Sequence, residues 1–240
     1  MIIDNSDFTE KNYKKIIKRI RNKCIFYNEV GNKKKFTLWR HDVDFSPHRA
    51  HALAKIEKTN NLKSTYFIQL NSAFYNIFEE EIKSLFLKVL SFGHQLGLHF
   101  DFNSYEINSK DELEEYLTYE KKILEKLFKI KIKAFSFHNP TKKILKYNDF
   151  KYANMINAYA KYFKDNVIYC SDSNGYWRHQ KLENFFNNKY DKIQVLTHPV
   201  WWQKKITNPR QKIVHAANER AQKCIKNYDK LLKKSRRINF

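Results

Sequence analysis

The sequence predicts an α/β protein with a parallel sheet, closed or nearly closed into a barrel. Three observations predict it. Strand-like and helix-like segments alternate along the chain. Clusters of His and Asp stand at the C-terminal ends of five separate strand segments, where a barrel of this kind carries its chemistry. The residues that shape loops gather at the same places: of only four Gly and four Pro, Gly93, Gly97, Pro140 and Pro199 lie inside such clusters and Pro47 follows the first. All four Trp (Trp39, Trp177, Trp201, Trp202) lie in or beside them.

Each element has its own signal. Asp7 to Cys24 reads as a basic amphipathic helix, with Tyr13, Ile16, Ile17 and Ile20 inward and Lys14, Lys15, Lys18, Arg19 and Arg21 wet. Gly31 to Lys35 is a turn, and Phe36 to Trp39 a short apolar strand. Ser46-Pro47 is an N-cap followed by Pro at the first helical position, so a helix runs to about Asn60. Ser64 to Leu70 is rich in strand formers. Glu79 to Phe92 returns to helical spacing, Gly93 stops it, and Gln95 to His99 is a short buried strand. Ser109-Lys110-Asp111-Glu112 is a capping box that opens another helix. Ile132 to Phe137 is a strand, Asn154 to Phe163 a helix, Val167 to Cys170 and Lys192 to Leu196 strands, and Gln203 onward mostly a basic helix.

Three regions follow: residues 1–35, a basic helix packed on the domain; 36–202, the barrel; and 203–240, a basic helical extension. An aromatic content of 16% supplies ample core and argues against disorder. No stretch is long and apolar enough to span a bilayer, and the first residues lack the pattern of a signal peptide. The expected location is the cytoplasm, with peripheral membrane association open to the basic C-terminal helix. Cys24, Cys170 and Cys224 are few and far apart, which fits free thiols. A net charge of +21 fits either a Lys-rich solvated surface or an anionic partner such as an acidic glycan, a nucleotide-linked or lipid-linked sugar, or an anionic membrane surface. No zinc-finger, RNA-recognition or helix-turn-helix signature is present, so nucleic acid is not an expected partner.

The clusters offer hydrolytic chemistry. Arg40-His41-Asp42-Val43-Asp44 places two carboxylates at a strand end, where such a pair can hold a divalent metal, deprotonate water, or divide those tasks. Asp42 and Asp44 can equally cap the next helix or pair with Arg40. His94 and His99 fall on opposite strand faces, so one of them reaches the site; Asp101 is placed to orient His99. His138 and His198 each end a strand just before a Pro-containing turn. A His with a near-neutral pKa suits proton donation to a leaving group, and Asp172 is a candidate to hold His198 in its protonated form. Trp201 and Trp202 offer aromatic faces to a substrate or pack the core.

These clusters resemble the polysaccharide deacetylase superfamily, carbohydrate esterase family 4 with its NodB-homology domain. The nearest likeness is a variant branch with a His-Asp-Val-Asp start. The resemblance covers Phe36 to Trp202. Its landmarks occur in order: His41 to Asp44, Ser64 to Phe67, Gly93 to His99, Phe137 to Pro140, Asp172 to Trp177, and Leu196 to Pro199. It implies a distorted (β/α) barrel of about seven parallel strands with one divalent metal, commonly zinc, that polarises an acetamide carbonyl and activates a water. It also implies Asp42 as general base, Asp44 and His99 as metal ligands, and His198 as general acid supported by Asp172. Trp201, Trp202, Trp177 and Asn139 are the expected substrate contacts. The substrate implied is an amino sugar in a surface-glycan precursor, carried on a nucleotide or a lipid.

Three departures bear on this. Val43 separates an acidic pair that is usually adjacent, so base and ligand can exchange between Asp42 and Asp44. Asn103 stands where the family has its second metal His. His138 stands where the family commonly has Arg, and it is the expected third ligand. A non-catalytic glycan-binding relative, or a hydrolase of a different carbon–nitrogen bond, is the alternative.

Overall fold

Among the described residues, nine strands form one curled sheet that wraps into an open barrel. The computed structural model describes residues 4–20, 23–177 and 180–239, so Arg21 of the expected basic face lies outside the described residues. The strands are β1 (Cys24–Ile25), β2 (Phe36–Val43), β3 (Thr65–Ile68), β4 (Gln95–Phe100), β5 (Ala134–Phe137), β6 (Lys151–Tyr152), β7 (Met155–Asn157), β8 (Ile168–Ser171) and β9 (Lys192–Thr197). Their order is β6-β7-β5-β4-β3-β2-β9-β8. The short ninth strand, β1, pairs with β2 at Thr37 and Leu38, below the stretch where β3 pairs from Arg40 to Val43. Every described pairing is parallel except β6 with β7.

Helices α1 (Glu10–Ile17), α2 (Pro47–Lys58), α3 (Glu80–Ser91), α4 (Lys110–Phe128), α5 (Lys161–Asn166), α6 (Leu182–Phe185) and α7 (Pro209–Ser235) complete the chain. The caps read from sequence are in place. The Ser46 hydroxyl accepts from Arg49 N with Pro47 at the first helical position, and Ser109 and Glu112 close their reciprocal box.

Two expected helices differ. The segment 7–24 is a short 3₁₀ turn (Asn5–Phe8), then α1, then strand β1. The backbone at Phe8 and Glu10 hydrogen-bonds Gln203 instead of continuing a helix, and the Thr9 hydroxyl caps α1. The segment 154–163 opens as the β6–β7 hairpin, with Ala153 and Asn154 both at positive φ (49° and 58°). Two such residues in succession make the tight turn whose twist suits a hairpin. Helix α4 grips that turn: Lys121 Nζ donates to Ala153 O at 2.9 Å, and Glu114 accepts from Ala153 N.

Alternation along β2 sorts its side chains to two faces. Leu38 looks inward to a core with Phe36, Phe67, Ala134 and Phe163. Trp39 looks outward to a second core with Phe8, Tyr13, Leu53 and Trp202. A third core lies under α3 and α4 around Phe86, Leu98, Leu117 and Phe135. Gly97 marks a close approach inside the barrel: a Cβ there would sit 2.5 Å from the Phe67 ring and 3.0 Å from Ala134 O. The three cysteines are free. Among the described residues no helix is long and apolar enough to cross a membrane.

Candidate active site

Strand β2 is longer than its apolar run, so Arg40 and Asp42 lie within the sheet and Asp44 just beyond its end. Arg40 is fully buried, held between the rings of Phe67 (5.3 Å) and Tyr159 (4.9 Å). A buried guanidinium requires a carboxylate partner. Arg40 takes Asp42 in a two-pronged pair, Nη2 to Oδ2 at 2.6 Å and Nε to Oδ1 at 3.2 Å. Of the alternatives open for the acidic pair, Asp42 therefore meets the ion pair with Arg40.

Asp44 faces the histidines. Its Oδ1 lies 3.1 Å from His99 Nε2, and its Oδ2 lies 3.8 Å from His198 Nε2. Burial would raise the Asp44 pKa, but His99, with His198 and His138 behind it, outweighs burial and holds the carboxyl well below the usual carboxylate range. The His99 contact lacks hydrogen-bond alignment, and Asp44 Oδ1 is a buried oxygen with no hydrogen-bond partner.

His99 is oriented from behind. Its Nδ1 contacts Ser136 Oγ at 2.7 Å, leaving Nε2 toward Asp44. The orienting group is thus Ser136 on β5 rather than Asp101, which sits 3.2 Å from His138 Nδ1 instead. His94, just ahead of β4 and turned to the opposite side of the sheet, is absent from this site.

His198 is the most firmly held imidazole. Asp172, completely buried, accepts from His198 Nδ1 at 2.7 Å and from His198 N at 3.0 Å. Trp202 Nε1 donates to its other oxygen at 2.8 Å. Burial would lower the His198 pKa, but Asp172 and then Asp44 push it up to about 9. At neutral pH the ring is therefore cationic and presents an Nε2 proton toward Asp44.

The remaining residues take other positions. His138 lies 5.3 Å from the His99 ring, centroid to centroid. Both of its nitrogens are engaged, Nδ1 by Asp101 and Nε2 by Asn139 Nδ2 at 2.9 Å. Asn139 bends back at a positive φ of 42° rather than leaving the strand in extended form. Trp202 is fully buried against Phe8 and Tyr13, so it positions Asp172 and offers no free face. Trp177 stacks on Phe8 at 5.1 Å. Trp201 is 4% exposed and touches Phe45, whose ring meets Phe74 at 4.7 Å. Asn139 is exposed at the rim.

A second cluster lies behind the sheet. Glu57 accepts from His41 Nε2 at 2.6 Å, Ser64 Oγ at 2.7 Å, Tyr66 OH at 2.8 Å, and Tyr13 OH. Ser64 also meets His94 Nδ1 at 2.9 Å, and His41 Nδ1 meets Thr197 Oγ1 at 2.7 Å. Burial would raise the Glu57 pKa, but His41 above all, then His94 and Tyr13, hold it down at about 2. The sequence carries one sign of this cluster: Glu57 occupies the place in the Ala50, Leu53, Ala54 stripe where the next apolar residue belongs.

Asp44 and His99 suit a divalent ion. A carboxylate oxygen and an imidazole lone pair at 3.1 Å need a proton or a cation between them. An orphaned buried carboxylate oxygen facing an oriented imidazole is a zinc-type donor pair. Among the described residues no group of three or more His, Cys, Asp or Glu side chains stands assembled to hold a metal, since His138 is closed off by Asp101 and Asn139.

No family model and no curated protein matches the chain. Several solved structures are similar to it. One is a CE4 family pseudoenzyme from Bacillus anthracis, at 14% identity and TM-score 0.44, covering 80% of this chain and 62% of that one. The chain thus spans less than two thirds of that relative. Another is a family 4 carbohydrate esterase from Bacillus anthracis, at 15% identity and TM-score 0.45, covering 93% of each chain. A third is the chitin deacetylase of the fungal pathogen Colletotrichum lindemuthianum, at 14% identity and TM-score 0.46, covering 83% of this chain and 85% of that one.

Proposed function

We propose that this protein hydrolyses the amide of an N-acylated amino sugar, releasing acetate or a similar acid and leaving the free amine. One observation carries the reading. The Asp172–His198 dyad and the Asp44–His99 pair converge on one rim, with His198 Nε2 3.8 Å from Asp44 Oδ2. Amide hydrolysis needs an activated water at one side of the carbonyl and a proton at the departing nitrogen on the other.

Asp44 and His99 are the residues that would hold a divalent metal, with zinc suited to that donor set. When bound, the ion polarises the acyl carbonyl and makes its water more acidic. Asp42 takes the proton from the attacking water. Its oxygens each accept one bond from Arg40 and retain a second lone pair for that role. The water oxygen bonds to the acyl carbon, and the carbon–nitrogen bond breaks as His198 Nε2 gives its proton to nitrogen. Asp172 keeps the imidazole turned through both steps, and charged until that proton leaves. Phe45 and Phe74, half-buried at the rim, offer the aromatic wall that sequence assigned to the Trp residues.

The substrate we assign is an amino-sugar glycan precursor, linked to a nucleotide or a lipid. The test is mass analysis of the products from N-acetylated amino sugars and their nucleotide-linked forms, with zinc-loaded protein. Acetate and free amine in equal amounts support deacetylation. Cleavage of a different carbon–nitrogen bond, or no turnover of any such substrate, contradicts it.

A second reading is a glycan-binding relative without catalysis. The closure of His138 by Asp101 and Asn139 favours it. Binding of an amino sugar that is unchanged in Asp42→Asn, with no hydrolysis by the parent, would select it.

A further inference from the structure

Helix α7 is joined to the barrel along its first half only. Lys212, buried, donates to Trp201 O at 2.6 Å, and Ile213 and Ala216 pack on the core beneath. Arg220 then pairs with Glu79 through both its terminal nitrogens, and Lys223 with Glu81. Beyond that point, among the described residues, no hydrogen bond or ion pair ties residues 224–239 to the rest of the chain.

This outer half is neither uniformly polar nor covered. Ile225 is 61% exposed, Tyr228 47% and Leu231 64%, a run that Val214 extends back along the helix. Val214, Ala217, Ala221, Ile225, Tyr228 and Leu232 recur at intervals of three or four, so at about 100° per residue they form one stripe. Lys226, Lys230, Lys233 and Lys234 fall on the other side of the helix. From residue 224 to 239 the chain carries six Lys or Arg and one carboxylate, Asp229.

We propose that α7 lays this stripe into an anionic lipid surface, with the lysines reaching the head groups. A helix with an apolar stripe, a Lys-rich opposite face and low overall hydropathy is built to lie in the membrane interface. Charge selects the occupant. A second copy of a chain of net charge +21 would bring like charge against like, whereas an anionic bilayer supplies the counter-charge and the apolar layer together. Ile225 and Tyr228 enter the boundary between head groups and acyl chains, and long Lys stems extend past them to the phosphates. Because α7 begins beside the Pro199–Trp201 turn that follows His198, the docked helix tethers the barrel to the lipid surface.

The test is co-sedimentation of the full chain with vesicles of phosphatidylcholine alone and of phosphatidylcholine mixed with phosphatidylserine. Binding to the mixed vesicles, weakened by salt, is the expected result. Changing Lys226, Lys230 and Lys233 together to Ala is expected to weaken it on the order of a hundredfold, about fivefold per lysine. Ile225→Glu and Tyr228→Glu are expected to abolish it. These positions are exposed, so an unchanged thermal midpoint and circular dichroism spectrum accompany each variant. Equal binding to both vesicle types would overturn the proposal, as would unchanged binding by Ile225→Glu. So would a concentration-dependent dimer that Ile225→Glu dissolves while vesicles are ignored.

Discussion

The two faces of strand β2 carry the same chemistry to opposite ends. Inward lie Arg40, Asp42 and, past the strand end, Asp44; outward lies His41. Behind the sheet every member of the Glu57 cluster is sealed from water, and Glu57 receives four donors. In front, Asp44 retains an orphaned oxygen, and Asp44 and His198 still have side-chain exposures of 11% and 14%. A saturated buried network holds a fold together. An unsaturated one with access to solvent is available for chemistry. Residue type does not separate the two; satisfaction and access do.

Variants on each face can break that contrast. The largest effect is expected from His198→Ala, a loss of about 10²- to 10⁴-fold in kcat of the folded fraction, with stability lowered as well because buried Asp172 loses its charged partner. Unchanged kcat in the folded fraction would place His198 among the structural residues. Behind the sheet the outcome inverts. Glu57→Gln removes one partner of a buried cluster and is expected to cost on the order of 3–5 kcal/mol in chemical denaturation, with kcat of the folded fraction preserved.

Glu57 also sets a pH dependence. Its folded pKa of about 2 lies below the ordinary value of 4.5, so its contribution is full above that ordinary value and is lost as pH falls toward about 2. Unfolding free energy measured across that window is expected to fall in the parent and to fall less steeply in Glu57→Gln.

Smaller changes sharpen the boundary between the faces. Ser136→Ala frees the His99 ring and is expected to weaken metal affinity about 10- to 100-fold, read by competition with a chelator. Gly97→Ala drives a methyl into the Phe67 ring, which forms the floor under Arg40. Overpacking there is expected to cost about 1–3 kcal/mol, and kcat is expected to drop with it because Arg40 and Asp42 shift together.

Much of the front face was legible in sequence. Strand-end clusters located Asp44, His99, Asp172 and His198, and strand alternation separated His99 from His94. Caps such as Ser46 and Ser109 declare themselves locally. What stayed hidden depends on contacts across long stretches of chain. Nothing near His99 indicates Ser136, 37 residues on, as its orienting group. Trp202 looks like a ligand surface in sequence because an aromatic beside a His suits both roles; only burial against Phe8 and Tyr13 decides. The β6–β7 hairpin is not legible in sequence because Ala153 adopts a left-handed conformation that its own chemistry does not favour, held by Glu114 and Lys121 of α4.

The most direct test compares metal content across the two faces. Parent, Asp44→Asn and Glu57→Gln are purified, loaded with zinc, desalted and assayed by elemental analysis. One zinc per chain in the parent and in folded Glu57→Gln, with none in Asp44→Asn, is the expected result. Zinc retained in Asp44→Asn, or absent from the parent, would contradict the assignment of the front face as a metal-assisted hydrolytic site.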